Sequence, residues 1–228
     1  MESENISLPL VEIFETVEGE GNQAGFHTVF IRLFGCNLRC SWCDTPYSYA
    51  PAKPEMKLSI KEIVNQVSTY KAKNICLTGG EPLLFGKKSV ALINELLKID
   101  GIQDLHVETN GAIDLLPFIN SINDKRVRFI MDYKLSGSNE RDRMLDSNLA
   151  ILREFDELKF VIGSDLDFFE ATEIINNHDI NAQILFSPVW ETMTPRKLVE
   201  KIISNGLSHV KLSLQLHKII WDPATRGV

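Results

Sequence analysis

Cys36, Cys40 and Cys43 stand in GCNLRCSWCDT, a C-x3-C-x2-C spacing that gathers three of the chain's four cysteines into one short stretch. Thiolates ligate soft or borderline metals and act as nucleophiles. A structural zinc site takes four ligands, commonly in two short pairs, and here the fourth is missing locally. Cys76 lies inside NICLT, where a cysteine packs as a small apolar residue. His27, upstream of the cluster, is the other candidate for completing a zinc site. A thioredoxin-like reading of CSWC uses two cysteines and leaves Cys36 unexplained. A 4Fe-4S cluster normally takes four thiolates, so three would leave one iron open to bind a substrate or cofactor.

The elements that must position these residues follow from periodicity. Apolar, β-branched runs recur: NICLT, DLHVET, VRFIMD, LKFVI, AQILFSP and HVKLSL. Their spacing, roughly 25 to 30 residues, is that of a strand, a helix and two turns. With HTVFIRLFG this predicts about seven strands joined by helical crossovers, hence an α/β fold with a mainly parallel sheet. The sheet is expected to curl into a partial (β/α) barrel, forming one domain over residues 1–228, although periodicity alone leaves an open sheet possible. Ser59 and Glu62 form a capping box ahead of IVNQVSTY, and Val90, Ile93 and Leu97 are expected on one helix face. Thr194-Pro195 is a helix start with proline in the first turn, and the proline-rich TPYSYAPAKPE reads as a loop. Polar and glycine residues cluster just after the strands, in GGEP, ETNG, DYKLS and QLHK. In parallel α/β folds these C-terminal strand ends form the reactive rim.

Composition narrows the partners. The chain has 228 residues, 44% hydrophobic and 24% charged, with a formal net charge of -7. A nucleic-acid backbone requires a basic surface, so a small-molecule substrate is expected and direct tRNA binding is not. The opening MESENISLPL lacks the pattern of a signal peptide, and no run is apolar enough to span a bilayer. A reducing cytoplasmic setting with free thiols is the expectation.

CNLRCSWC resembles the C-x3-C-x-aromatic-C signature of the radical S-adenosylmethionine (SAM) enzymes, and TGGEP resembles that family's glycine-glycine-glutamate motif. The resemblance implies a 4Fe-4S cluster on Cys36, Cys40 and Cys43, with SAM chelating the open iron and splitting on reduction to a 5'-deoxyadenosyl radical. Glycines let a backbone approach a ligand closely, and a glutamate accepts hydrogen bonds from an ammonium.

The likeness extends further. EIFETVEGEG, F-x-R-x-x-GC, CDT, ETNG, LHK and the terminal RGV together resemble the 7-carboxy-7-deazaguanine synthases over nearly the whole chain. That family's reaction is a radical ring contraction of 6-carboxy-5,6,7,8-tetrahydropterin with loss of ammonia, assisted by Mg2+, on the route to queuosine. Carried over by position, the resemblance implies that Trp42, Cys43, Asp44, Gly80, Glu81, Asp132, Tyr133, Lys134 and Ser187 face SAM. It implies Thr45 as a Mg2+ ligand, and Val17, Glu18, Gly19, Glu20, Arg32, Thr78, Glu108, His217 and the terminal Val228 around the substrate. Arg32 also stands out physically, because an unpaired charge within the apolar VFIRLF would be costly and a guanidinium pairs with a carboxylate through two prongs. A homodimer and a reduced flavodoxin or ferredoxin as electron donor are further implications. Two positions depart from the usual pattern. EGEG replaces QGEG, so Glu18 offers only acceptors when ionised where a glutamine both donates and accepts. DYK replaces SPK, with the lysine kept.

Two other readings are separable. A glycyl-radical activase would share the cysteine motif but have no need of EGEG or RGV. A zinc-stabilised binding module would draw on His27 or Cys76 and would be colourless.

Overall fold

The computed structural model describes residues 6–228; residues 1–5 of the opening segment lie outside the described residues. Two strands come first, β1 (Ser7–Val17) and β2 (His27–Leu33), then β3 (Met56–Ser59) leads directly into α1 (Ile60–Val67). Alternation follows: β4 (Asn74–Gly79), α2 (Lys87–Leu96), β5 (Asp104–Thr109), α3 (Leu116–Ser121) and β6 (Val127–Tyr133). The chain continues through β7 (Glu157–Ile162), α4 (Asp165–Asn177), β8 (Gln183–Pro188), α5 (Pro195–Ser204), β9 (Val210–Leu212) and a single turn, α6 (His217–Ile220).

The seven strands expected from the apolar runs are parallel neighbours in the order β2-β4-β5-β6-β7-β8-β9. Each strand pairs with the next in sequence and none returns to the start, so right-handed crossovers place all the helices on one side. A doubly wound sheet would reverse its order partway. The sheet therefore curls in one direction without closing, as a partial barrel. β1 pairs antiparallel with β2, and β3 with β1, which adds a meander at the β2 edge. Among the described residues no helix is long and apolar enough to cross a membrane.

The local signals act as expected. Ser59 Oγ accepts from the Glu62 N–H while the Glu62 carboxylate accepts from the Ser59 N–H, completing the capping box. Thr194 caps α5 with Pro195 at its first position. On α2 the buried stripe is Ser89, Leu92, Ile93 and Leu96, with Val90 and Leu97 only half-buried. The helix is turned slightly from the expected face because the short Ser89 side chain fits beneath it, donating to the Pro82 carbonyl.

Side chains alternate across each strand, which separates two interiors. Toward the helices, Tyr133, Phe160 and Phe186 form a tilted and edge-on aromatic row on β6, β7 and β8, met by Phe168 of α4. Toward the barrel axis the layers are polar: Cys76, His106 and Arg128 stand in register on β4, β5 and β6, and Arg32 is in register with Thr78. The aromatic row carries the packing that holds the strands in position. Phe160→Ala, which removes its central ring, is expected to lower unfolding free energy by about 3–5 kcal/mol, measured by urea denaturation.

Candidate active site

A cavity of about 580 Å³ opens at the C-terminal ends of the parallel strands. The cysteine loop forms one wall. It is held where β2 and β4 end: the Glu81 N–H donates to the Gly35 carbonyl at 2.7 Å, and the Gly35 N–H to the Ser48 carbonyl at 2.7 Å. A Cβ on Gly80 would collide with the Gly35 carbonyl and the Cys36 side chain, so this close approach requires glycine. Asn110, from the turn after β5, donates to Asn37 at 2.8 Å and lies 3.8 Å from Cys36 Sγ. On the far side Ser41 bonds the Ser138 and Gly137 carbonyls.

All three thiols are free and line the cavity. Burial pushes the Cys40 thiol up to about 11 and raises that of Cys36. A metal reverses that preference, because it binds the thiolate and releases the proton. Two further groups favour a bound cofactor. Trp42 Nε1 and Asp132 Oδ1 are buried with no hydrogen-bond partner among the described residues, and buried polar groups are normally satisfied. Three converging thiols with two orphaned polar atoms beside them fit an iron–sulfur cluster that shares its site with an organic ligand. Neither candidate fourth zinc ligand is present: His27 pairs with Glu15 at 2.9 Å on the exposed edge, and Cys76 is fully buried beside His106. Neither lines the cavity.

The opposite wall comes from the acidic loop after β1, which is polar in composition yet buried. Glu18 is only 3% exposed. The loop reaches into the barrel and meets cations rising from the strands. Glu18 Oε2 lies 2.8 Å from His106 Nε2, and His106 Nδ1 lies 2.8 Å from Asp104. Glu20 accepts from Lys159 Nζ at 2.9 Å and from Gln215 at 2.8 Å. Behind them Arg128 binds Asp104 at 2.6 Å and also Glu157, whose other oxygen accepts the Asn22 N–H at 3.0 Å. Burial acts to raise the Glu20 pKa, but the Lys159 charge and the hydrogen bonds outweigh it and hold Glu20 at about 2. Glu108, which accepts from Thr78 at 2.9 Å, is instead pushed up, by burial first, with the Glu18 and Glu20 charges adding to it.

Most of the expected residues meet here. Val17, Glu18, Gly19, Glu20, Arg32, Trp42, Asp44, Thr45, Thr78, Gly80, Glu108, Asp132, Lys134, His217 and Val228 all line this cavity with the cysteines. Arg32 Nε is held by Glu12 at 2.7 Å, and no hydrogen bond among the described residues occupies its two terminal nitrogens. Lys134 pairs with Asp132 at 2.9 Å. A Cβ on Gly19 would strike the His217 ring, and burial lowers the His217 pKa, keeping that ring neutral near pH 7. Arg226 stacks 3.9 Å over Tyr47, bringing the terminal residues to the cavity mouth.

Three of the expected residues do not line it. Tyr133 alternates with Asp132 and Lys134 and so points into the helix layer, where its hydroxyl bonds Asp146. Glu81 is fully buried beneath the wall, accepting from Thr109, Asn110 and Leu83, and burial raises it to about 7. Ser187 is in register with the cavity residue Val161 but is itself covered. Sequence reasoning gave no role to Lys159 or Tyr47, and it reached Asn110, Gln215 and Arg226 only as members of ETNG, QLHK and RGV. Lys159 carried a usable signal, a cation inside the apolar LKFVI, which is the same argument that singled out Arg32.

Residues 30–137 match the family model for the radical SAM superfamily. The 7-carboxy-7-deazaguanine synthase of Clostridium acetobutylicum is 38% identical over 96% of this chain and 98% of its own length. The enzyme of the same name from Leptospira interrogans is 37% identical over 99% of this chain and 100% of its own, and that of Methanospirillum hungatei is 35% identical over 97% and 88%. The crystal structure of QueE from Escherichia coli is similar in fold, with a TM-score of 0.69 over 92% of this chain and 94% of that one, at 23% identity.

The Glu20 pair has a pH signature. A carboxylate whose folded pKa is depressed contributes stability above its ordinary value of 4.5, and that contribution is lost as pH falls toward about 2. Urea unfolding of wild type and Glu20→Gln should therefore differ most above pH 4.5 and converge near pH 2.

Proposed function

The chain belongs to the 7-carboxy-7-deazaguanine synthases of the radical SAM superfamily, and we propose on that basis a role for each wall of its cavity. It is a radical SAM lyase of deazapurine biosynthesis, with a 4Fe-4S cluster, SAM and Mg2+ as cofactors. Its reaction is the conversion of 6-carboxy-5,6,7,8-tetrahydropterin to 7-carboxy-7-deazaguanine with loss of ammonia, toward queuosine. The observation that carries this is the convergence of three free thiols, Arg32 and the buried acidic loop on a single cavity.

Cys36, Cys40 and Cys43 hold the cluster, which together with SAM supplies a 5'-deoxyadenosyl radical. Trp42, Asp44, Gly80, Asp132 and Lys134 orient SAM on that wall. The orphaned Asp132 Oδ1 and Trp42 Nε1 suit an acceptor and a donor for it. Glu81, Tyr133 and Ser187 support this wall from behind: Glu81 ties the β4 end to the turn after β5, and Tyr133 anchors β6. Thr45 offers a hydroxyl oxygen to Mg2+, a hard cation that keeps water or substrate oxygens in its other positions.

The terminal nitrogens of Arg32 receive the substrate carboxylate as a bidentate pair. Glu18, Glu20, Glu108 and Thr78, with the backbone of Val17 and Gly19, read the donors and acceptors of the pterin ring, and His217 and Val228 close the mouth. The enzyme acts as a homodimer in the cytoplasm, receives its electron from a reduced flavodoxin or ferredoxin, and handles a free pterin rather than a nucleic acid.

The decisive experiment is anaerobic: cluster reconstitution, then SAM, reductant, Mg2+ and 6-carboxytetrahydropterin, with product followed by mass spectrometry. Product is expected from wild type and none from Cys36→Ala. SAM cleavage without product would keep the radical chemistry and remove the substrate assignment, and zinc uptake without a cluster would remove both. A separate test addresses the tail. Extending the chain beyond Val228 should raise KM for the pterin, and an unchanged KM would take the terminal carboxylate out of the site.

A further inference from the structure

The acidic loop is held by a residue that never reaches the cavity. His106 is fully buried on β5 and touches Glu18 on one side and Asp104 on the other. Glu18 Oε1 accepts the Glu20 N–H at 3.2 Å and Oε2 faces His106. A carboxylate has about four acceptor positions, so lone pairs remain for a ligand on the cavity side.

We propose that His106 is a positioning residue for substrate recognition: its Nε2 fixes Glu18 as a hydrogen-bond acceptor on the cavity wall, selecting a ligand that presents N–H donors there. This rests on the reading of the cavity as a pterin site. The lactam N–H and exocyclic amine of a pterin are donors of that kind, adjacent on one edge and suited to a carboxylate.

The surroundings of His106 fit that role. The ionisable groups around it are Glu18 from the loop, Cys76 from β4, and Asp104 and Glu108 from β5, with Arg128 of β6 reached through Asp104. Burial alone would lower the ring's pKa, and the neighbouring Cys76, Asp104 and Glu18 act to raise it above the usual histidine value. Burial also pushes the Cys76 thiol far up, so at neutral pH Asp104 and Glu18 are the charges hydrogen-bonded to the ring. Donor atoms of Glu18, Cys76 and His106 all lie within 4.8 Å. Glu18 and Asp104 already occupy the two ring nitrogens, which makes this a hydrogen-bonded cluster rather than a cation site. Arg128 continues the chain by pairing Asp104 on one side and Glu157 on the other. Asp104 is thereby fixed, and it in turn fixes the ring.

A coupling of this kind is read by a double-mutant cycle on the reconstituted enzyme. His106→Gln keeps a donor but not the charge, and should raise KM for 6-carboxytetrahydropterin about tenfold or more while kcat stays within about threefold. In a Glu18→Gln background, where no carboxylate needs a cation behind it, the same substitution should change KM by less than about threefold. Equal factors in the two backgrounds overturn the proposal, as does a fall in kcat with KM unchanged. The second readout is the imidazole nitrogen NMR spectrum of the full chain. His106 should be protonated on both nitrogens at neutral pH, and Glu18→Gln alone should shift its titration to lower pH. A neutral ring in wild type, or a titration indifferent to Glu18→Gln, overturns the proposal even if His106→Gln does not fold. A wild type inactive toward the pterin overturns the functional reading. An active wild type whose KM ignores His106→Gln overturns this one alone.

Discussion

Placing an acidic loop inside a protein is unfavourable unless each carboxylate finds a partner, since a buried unpaired charge is among the costliest features a fold can carry. Here the partners are built into the barrel. His106, Arg128 and Lys159 stand on three adjacent strands, and the loop from Glu18 to Asn22 lies over them. The same loop reaches past the last strand, where the Gly21 N–H donates to Ser213 Oγ and the Gly19 carbonyl accepts from Leu216. It thereby spans the opening that an unclosed sheet leaves. One set of ion pairs both fills the barrel and gives the cavity its polar wall.

The alternation of strand side chains keeps that polar interior from weakening the fold. At the end of β6, Asp132 and the following Lys134 face the cavity while Tyr133 joins Phe160 and Phe186 under the helices. Stability therefore rests mainly on one face of the sheet and chemistry on the other. The glycines of the β4 end mark the boundary. There the cysteine loop packs against backbone with no side chain between, so the cluster-binding residues are positioned by main-chain hydrogen bonds rather than by flexible contacts.

Much of this was legible in the sequence because each parallel strand, buried on both faces, is a short apolar run, and because the cysteine spacing is incomplete for zinc. The edge strands were harder. β3 is four residues, Met-Lys-Leu-Ser, following a proline-rich loop, and has too little length to show a period. The burial of the acidic loop was the feature least legible from composition. EGEG is polar in composition, and its burial depends on cations that lie far along the chain. Those cations were visible singly, as Arg128 in VRFIMD and Lys159 in LKFVI, but nothing local says that they share a partner. Tyr133 and Glu81 adjoin cavity residues in sequence, and the strand's period of two and the turn after β4 send their side chains elsewhere.

The sequential strand order also bears on how the chain assembles during synthesis. Each parallel strand docks on the one made just before it, so the sheet can grow from its N-terminal end as the polypeptide emerges. The acidic loop is made well before its partners, since Lys159 is 139 residues after Glu20 and Gln215 is 195 residues after it. Glu18 meets His106 earlier, 88 residues on, but until Lys159 and Gln215 arrive Glu20 has only water as a partner. The cavity's second wall is therefore complete only once Gln215 has left the ribosome.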